Sequence, residues 1–317
     1  MDAGTGGEPE AQREARQIIA AVFVCFFFSG ATGLIYEVLW TRLLGLVFGH
    51  TVFAITTVLS AFMAGLGLGS YLFGKIADRH AHPLRLYGTL EAGIGVYALL
   101  TPVLLSKAEA FYIPLYRSLE LSFFAFSVAQ FLLIFLILLV PTTLMGATLP
   151  VLSRFFVHDI AALGGQVGRL YAFNTFGAVL GTYLAGFHMI PTLGIRISLL
   201  LAAVGNIGIG ALAVVFDRHL SQLGFQASVS SPPGGRGEGR EAPLHLGPSA
   251  PRQSFPIGVW LAVIGLGISG AASMMYEVAW TRALALIIGS STYAFSTMLV
   301  TFLTGLALGS YLFSRLA

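Results

Sequence analysis

The sequence predicts an all-α fold, a polytopic membrane helix bundle with about eight transmembrane helices. Hydrophobic residues make up 56% of the chain and charged residues 10%, and the mean hydropathy is +0.84. A soluble domain carries roughly 25% charged residues, so the composition excludes one. Part of the chain also occurs twice. Residues 29–77 and 269–317 align without a gap, and 25 of the 49 positions are identical.

The charged residues leave long uncharged runs between them. A helix needs about 20 apolar residues to cross the hydrocarbon core of a bilayer. The third run reaches that length only if Glu91 lies inside it. Pro141 and Pro150 fall at the end of the fourth run, where a kink or a helix end is expected. The runs predict helices near 17–40, 50–74, 86–106, 123–150, 168–190, 196–216, 256–280 and 290–314.

The repeat and one polar segment divide the chain. The segment 217–255 is rich in Ser, Pro, Gly and Arg, and it cannot bury enough apolar surface to fold alone. Six helices precede it, and a repeat of the first two follows, as expected of a transporter-type bundle with parallel halves. The predicted units are a cytoplasmic N-terminal tail (1–16), a six-helix half (17–216), a disordered cytoplasmic linker (217–255) and the first two helices of a second half (256–317).

The distribution of Lys and Arg predicts the orientation. With the N-terminus inside, the inner segments carry 12 of the 17 basic residues and the outer loops carry 5. Inner loops of membrane proteins carry this excess of positive charge. We therefore expect a multi-pass protein of the cell (inner) membrane with a cytoplasmic N-terminus, whose partner is the lipid bilayer and not a nucleic acid. The sequence does not indicate an oligomeric state.

A seven-residue motif, Tyr-Glu-Val-x-Trp-Thr-Arg, occurs in both copies of the repeat, at 36–42 and 276–282. An acidic residue in or near a membrane span is costly and indicates a function by default. Because the first span is predicted to end near residue 40, Glu37 and Glu277 are expected at the outer ends of their helices.

Two interpretations of this motif stay open. In the first, the two Glu residues, with Arg42 and Arg282, form an outer gate or a vestibule that attracts cations. In the second, the motif is a structural anchor that fixes the turn after each helix. Its aromatic residues then lie at the membrane interface, and they are Tyr36, Trp40, Tyr276 and Trp280.

Two further polar residues fall inside predicted spans. Glu91 lies about one turn inside the third helix, and Asn174 lies within the fifth. Glu91 could neutralise a cationic substrate, or it could pair with Arg85 or Lys75 at the inner face. The sequence leaves both readings open and favours the pairing.

The sequence predicts no catalytic residue, no cofactor and no metal site. It contains neither a P-loop nor a strand, Gly-rich turn and helix that would hold a dinucleotide. His80 and His82 are interpreted as solvated loop residues, since no third ligand lies near them. Cys25 is the only cysteine, which excludes a disulfide within the chain.

The loop after the second helix reads Gly74-Lys-Ile-Ala-Asp78-Arg79, with Arg85 beyond it. It resembles the loop of major facilitator proteins between their second and third helices. The resemblance implies that these residues gate the inner face. The usual basic continuation is absent, however, and a plain solvated loop is the alternative.

The repeated Ser-Gly-Ala…Tyr-Glu-Val-x-Trp-Thr-Arg…Leu-Gly-Ser-Tyr unit is more specific. It resembles the membrane part of the fused major facilitator/spermidine synthase family. Three further segments carry the same resemblance: Glu91-Ala-Gly-Ile-Gly-Val-Tyr97, residues 141–150 and residues 168–181. The resemblance implies an MFS-like fold with four more helices expected after Ala317, and a link to polyamine biosynthesis or transport. It also implies an aminopropyltransferase domain as partner, fused downstream or supplied separately, whose catalytic motifs have no counterpart here.

Three functions stay open on this basis. The first is the membrane module of such a fused protein, without a catalytic domain in this chain. The second is a stand-alone transporter of a small, cationic solute, and the third is a membrane anchor that transports nothing. A transporter requires Glu91, Asn174, Glu37 and Glu277 to line a common cavity, whereas an anchor needs no polar path through the bundle.

Overall fold

A computed structural model describes residues 10–48, 51–119, 122–156, 163–222 and 257–316. Eight α-helices account for nearly all of these residues, and the part of the chain described contains no β-strand. They are α1 (Glu10–Phe48), α2 (Thr51–Ala77), α3 (Pro83–Leu119), α4 (Phe123–Phe156), α5 (Leu163–Leu184), α6 (Ile190–Gln222), α7 (Ile257–Ile288) and α8 (Ser291–Leu316).

The helices are compatible with a multi-pass membrane protein. Seven stretches of the described chain are long and apolar enough to span a bilayer. The stretch that contains α5 and α6 counts once, because a π-helical segment, Ala185–Met189, joins the two helices. The chain reverses beyond it at Gly194, whose φ of 73° favours glycine. The predicted all-helical class is confirmed.

Several helices extend past their predicted ends. The first was expected to end near residue 40 but continues to Phe48, so Glu37 lies eleven residues, about 16 Å, before its end. The sixth continues to Gln222, past the predicted start of the linker. Residues 223–256, which make up most of that linker, and residues 1–9 of the predicted tail lie outside the described residues.

Glycine pairs let neighbouring helices approach closely. Gly65 and Gly69 of α2 pack on α4 so tightly that a side chain at either would overlap its backbone or Thr142. Gly177 and Gly181 of α5 lie in the same way against the carbonyl groups of Phe27 and Ala31 in α1. Small residues at this spacing are how helices pack where no hydrophobic effect drives them together.

The order of these contacts gives the helix directions. Residue numbers rise together along α1 and α5, and along α2 and α4, so each pair is parallel. They rise in opposite directions along α5 and α8, where Gly168 approaches Ser314 and Gly186 approaches Ser296. The hairpins α1–α2 and α7–α8 therefore cross the bundle in the same sense. Their superposition as a repeat stays a prediction.

Both prolines of α4 lie inside the helix, which continues to Phe156, six residues past its predicted end. Proline has no N–H, and the carbonyl group four residues earlier loses its helical donor. The hydroxyl of Tyr97 on α3 donates to the Ile137 carbonyl at 2.9 Å. The hydroxyl of Ser70 on α2 donates to the Gly146 carbonyl, also at 2.9 Å. Neighbouring helices thus satisfy the groups that Pro141 and Pro150 leave free, as a bilayer requires.

We expect Tyr97→Phe to destabilise the chain only while proline occupies position 141. The change leaves the Ile137 carbonyl without a donor, which costs about 1–3 kcal/mol. In a Pro141→Ala background the alanine N–H can bond that carbonyl, so the same change should cost much less. A double-mutant cycle on unfolding free energies in detergent measures the difference. Ser70→Ala with Pro150→Ala provides an independent second cycle. Equal costs in both backgrounds would contradict this role of the hydroxyl groups.

Candidate functional site

A cavity of about 190 Å³ lies inside the bundle, and all eight helices contribute to its wall. We call it the central chamber. Its volume is well above the ~10–15 Å³ that one water molecule needs. Its polar lining residues are Ser29, Glu37, Thr148, Tyr171, Asn174, Thr175, Asn206 and Glu277. No Lys, Arg or His occurs among the residues that line it.

Glu277 faces the chamber from α7, a helix that is otherwise turned outward. The buried residues of α7 are Glu277 and Thr281, while its apolar residues are largely exposed. This is the reverse of a soluble helix and is expected where apolar residues face lipid. Glu277 is 3% exposed, and its Oε2 atom has no hydrogen-bond partner among the described residues.

Glu37 enters the same chamber from α1 and is 4% exposed. It occupies the same position in the first copy of the repeat as Glu277 does in the second. Because both carboxyl groups lie at the same chamber, charge on either one disfavours charge on the other. If both are ionised they repel each other, so a cation or a proton between them lowers the energy of the pair.

Glu91 lies behind the chamber wall and is 0% exposed. Ser29 Oγ donates a hydrogen bond to one oxygen of its carboxyl group, and Asn206 Nδ2 donates to the other. Tyr36 donates from its hydroxyl to Asn206 Oδ1 at 3.1 Å. We call these four residues the Glu91 network. Since Ser29 and Asn206 also line the chamber, Glu91 is one hydrogen bond away from it.

The favoured pairing of Glu91 with Arg85 or Lys75 is not what the structure shows. The Lys75 ammonium group bonds the Tyr71 hydroxyl at 2.9 Å, one turn earlier on α2. Arg85 is exposed. Glu91 points into the bundle because two turns of α3 separate it from the helix start, and neutral donors of α1 and α6 satisfy it there.

The transporter interpretation requires four polar residues at one cavity, and Asn174, Glu37 and Glu277 line the chamber whereas Glu91 does not. Asn174 lines the chamber from α5, and its Nδ2 atom donates to the Phe26 carbonyl of α1 at 2.9 Å. Arg42 and Arg282 do not line the chamber, and both are exposed. Arg282 instead borders a separate cleft between α2 and α7. The structure therefore brings the acidic residues of the two motifs together and leaves their arginines outside.

The four motif aromatics occupy different surroundings in the two copies. Tyr36 and Trp40 are fully buried and stack with ring centroids 5.5 Å apart. Tyr276 and Trp280 are 66% and 60% exposed. Helix α1 packs against α2, α5 and α6, whereas α7 packs mainly against α8, so only the first pair is enclosed. Tyr36 and Trp40 thus lie in the core and not at an interface.

The predicted gate residues lie at one end of the bundle, away from the chamber lining. Gly74 is in the last turn of α2, and its carbonyl accepts from the Asp78 N–H at 3.4 Å. Asp78 and Arg79 are exposed in the turn that follows, and Arg85 is exposed on α3. At this end His82 Nδ1 also lies 3.4 Å from an Asp217 carboxyl oxygen near the end of α6.

Asn206 is the site residue that sequence reasoning missed. It is the one amide in an uncharged, apolar run, and the lack of charge in that run predicts a membrane helix without predicting a site. A lone amide at the middle of a membrane helix was a usable signal, because such a group needs a partner within the bundle.

In the part of the chain that is described, no group of three or more His, Cys, Asp or Glu could hold a metal ion.

Two curated proteins of Streptomyces coelicolor are similar to the chain. Polyamine aminopropyltransferase 2 is 30% identical over 213 residues, which cover 65% of this chain and 35% of that protein. Polyamine aminopropyltransferase 1 is 26% identical over 200 residues, which cover 63% of this chain and 34% of that protein. The chain thus spans about a third of the length of the curated relatives it matches. No family model and no solved structure matches it.

We expect Asn206→Leu to destabilise the bundle. The change removes a donor from Glu91 and the acceptor of the Tyr36 hydroxyl, and each unsatisfied buried group costs about 1–3 kcal/mol. Val204→Leu, on the exposed side of the same helix, is the matched control and should have little effect. Chemical unfolding in detergent measures both. Equal stabilities of the two variants would show that the Glu91 network contributes nothing.

Proposed function

We propose that these helices form the membrane module of a polyamine-linked protein and that the central chamber binds a small organic cation. The observation that carries the proposal is the meeting of Glu37 and Glu277 in one chamber, with a buried Glu277 oxygen left free of hydrogen bonds. The distant similarity to two polyamine aminopropyltransferases supports the choice of cation.

The charges of the chamber favour a cation over an anion or a neutral solute. Two carboxyl groups line it, a third lies one hydrogen bond behind, and no basic side chain is among the lining residues. A charged side chain deep in a membrane protein pairs with an opposite charge or marks a substrate path. An ammonium group between Glu37 and Glu277 supplies the missing positive charge and three hydrogen-bond donors.

The rest of the lining suits the methylene stem of an amine. Apolar side chains dominate it, among them Leu34, Phe62, Ile94, Met145 and Phe302. Burying a methylene group contributes about 0.8 kcal/mol, so the methylene stem of an aliphatic amine gains from contact with this lining. An anchor without transport needs no such chamber, and the cavity therefore favours a binding or transport role.

The finer architecture belongs to the same proposal. We place the N-terminus in the cytoplasm and the bundle in the inner membrane, on the strength of the 12 to 5 distribution of basic residues. We also assign an MFS-like plan, in which α7 and α8 begin a second half. The α1–α2 and α7–α8 hairpins cross the bundle in the same direction, which supports this plan. An aminopropyltransferase domain, fused or separate, is the proposed partner.

The test is the binding of 1,4-diaminobutane to the purified chain in detergent micelles, measured by isothermal titration calorimetry. We expect saturable binding that Glu37→Gln and Glu277→Gln each weaken about 10- to 100-fold, the effect of losing one charge-assisted hydrogen bond. Glu109→Gln is the matched control, because Glu109 lies on α3 outside the chamber lining.

An absence of saturable binding by the wild-type chain would overturn the proposal. So would an equal loss of affinity in Glu109→Gln, since that result would mean that general surface charge attracts the amine. Binding that survives in both chamber variants would place the cation elsewhere.

A further inference from the structure

We propose that Glu91 carries a proton when the chamber is empty and releases it when a cation binds, so that the bundle exchanges a cation for a proton. This inference rests on the proposed function, because it requires the chamber to take a cation. It assigns the coupling ion and the residue that holds it.

The first step of the argument is the chemistry of the groups around Glu91. Its two carboxyl oxygens meet the Ser29 hydroxyl and the Asn206 amide, with the Tyr87 hydroxyl beside them, and all three groups are neutral. A carboxylate buried in apolar surroundings without a positive partner is costly, whereas the protonated acid is not. An empty site of this composition is therefore best satisfied by a carboxylic acid.

The second step is a survey of the charged and titratable groups near Glu91 on every helix packed against it. Helix α1 presents Cys25 and Tyr36, and α3 itself presents Tyr87. None of these groups is basic. Helix α6 presents Asn206, and the α4 residue packed at this level is Leu144. Among the described residues, then, no cation compensates an ionised Glu91.

The third step is the position of Ser29 between Glu91 and the chamber. A hydroxyl group can donate a hydrogen bond or accept one, and it rotates to do either. Ser29 Oγ accepts the proton of a protonated Glu91 and donates to an ionised one, while Asn206 donates to the other oxygen in both states. Ser29 thus satisfies both forms, and since it lines the chamber it lies on the path between the carboxyl group and chamber water.

The charge balance then follows. When an ammonium group enters the chamber, its field stabilises an ionised Glu91 across one hydrogen bond. The O–H bond of Glu91 breaks, its electron pair stays on the carboxylate, and water in the chamber carries the proton to the buffer. A diamine brings two positive charges and one proton leaves, so the charge of the membrane interior rises by one, and the negative charge that Glu37 and Glu277 carry at the chamber offsets this increase. Glu37 and Glu277, which touch the chamber directly, bind the incoming cation.

The experiment is calorimetry of 1,4-diaminobutane binding in two buffers of different ionisation enthalpy, which counts the protons released. We expect at least one proton per bound diamine for the wild-type chain, and affinity that rises about tenfold per pH unit for each proton released. Glu91→Gln should still bind the diamine but release about one proton fewer, because glutamine mimics the neutral acid. Glu109→Gln should behave as the wild type.

Infrared difference spectroscopy provides a second readout that does not depend on the stability of one variant. Diamine binding should remove the carbonyl band of a protonated carboxyl group and add carboxylate bands. Ser29→Ala, which keeps Glu91, should shift the frequency of the lost band, because the acid loses its hydroxyl partner. An unshifted band in Ser29→Ala would overturn the assignment to Glu91.

The outcomes separate the two proposals. Diamine binding without proton release, or release that is undiminished in Glu91→Gln, overturns the exchange and leaves the cation site standing. No binding at all in the wild type overturns the cation site itself, and the exchange with it. Release that falls by about one proton in Glu91→Gln and not in Glu109→Gln supports both.

Discussion

The polar interior of this bundle is organised around carboxyl groups that have no basic partner among the described residues. In a membrane interior the backbone is already satisfied within helices, so a buried carboxyl group needs a donor from another helix. Buried hydroxyl groups such as those of Thr182 and Thr281 instead donate to carbonyl groups of their own helices. Glu91 finds neutral donors on α1 and α6. Glu37 and Glu277 both line the chamber, and Glu277 Oε2 has no hydrogen-bond partner among the described residues. Because these carboxyl groups need donors or a positive charge, the packing of the eight helices around them also forms the proposed binding site.

The same requirement explains features of the fold that are remote from the chamber. Proline at positions 141 and 150 frees two carbonyl groups of α4, and hydroxyl groups of α3 and α2 bond them. The glycine pairs of α2 and α5 then allow the backbones to come close enough for such contacts. Polar bonds and small residues together fix which helices are neighbours, where a hydrophobic effect between helices is absent.

The sequence predicts the number and class of the helices, but it does not predict their ends or which polar residues meet, and each difference has a physical reason. Helix number and class follow from uncharged runs, because the bilayer core imposes their length. Helix ends do not: α1 continues to Phe48, and α4 passes through Pro150 while Ser70 of α2 bonds the carbonyl group that this proline leaves free. Glu37 was expected at an outer rim and lies in the core for that reason. The meeting of Glu37 with Glu277 depends on how α7 packs, which spacing along the chain does not specify. Asn206 carries no charge pattern, and its role depends on facing Glu91 from another helix.

The central claim is that Glu37 and Glu277 face each other in one chamber. Cysteine cross-linking tests it most directly, in a background where Cys25, the one native cysteine, is replaced by alanine. Glu37→Cys with Glu277→Cys should cross-link rapidly through a bound cadmium ion or a short bifunctional reagent, within a single chain. Glu37→Cys with Gly267→Cys is the control, since Gly267 lies on α7 in open space. Equal cross-linking of both pairs, or none in the first, would contradict the account.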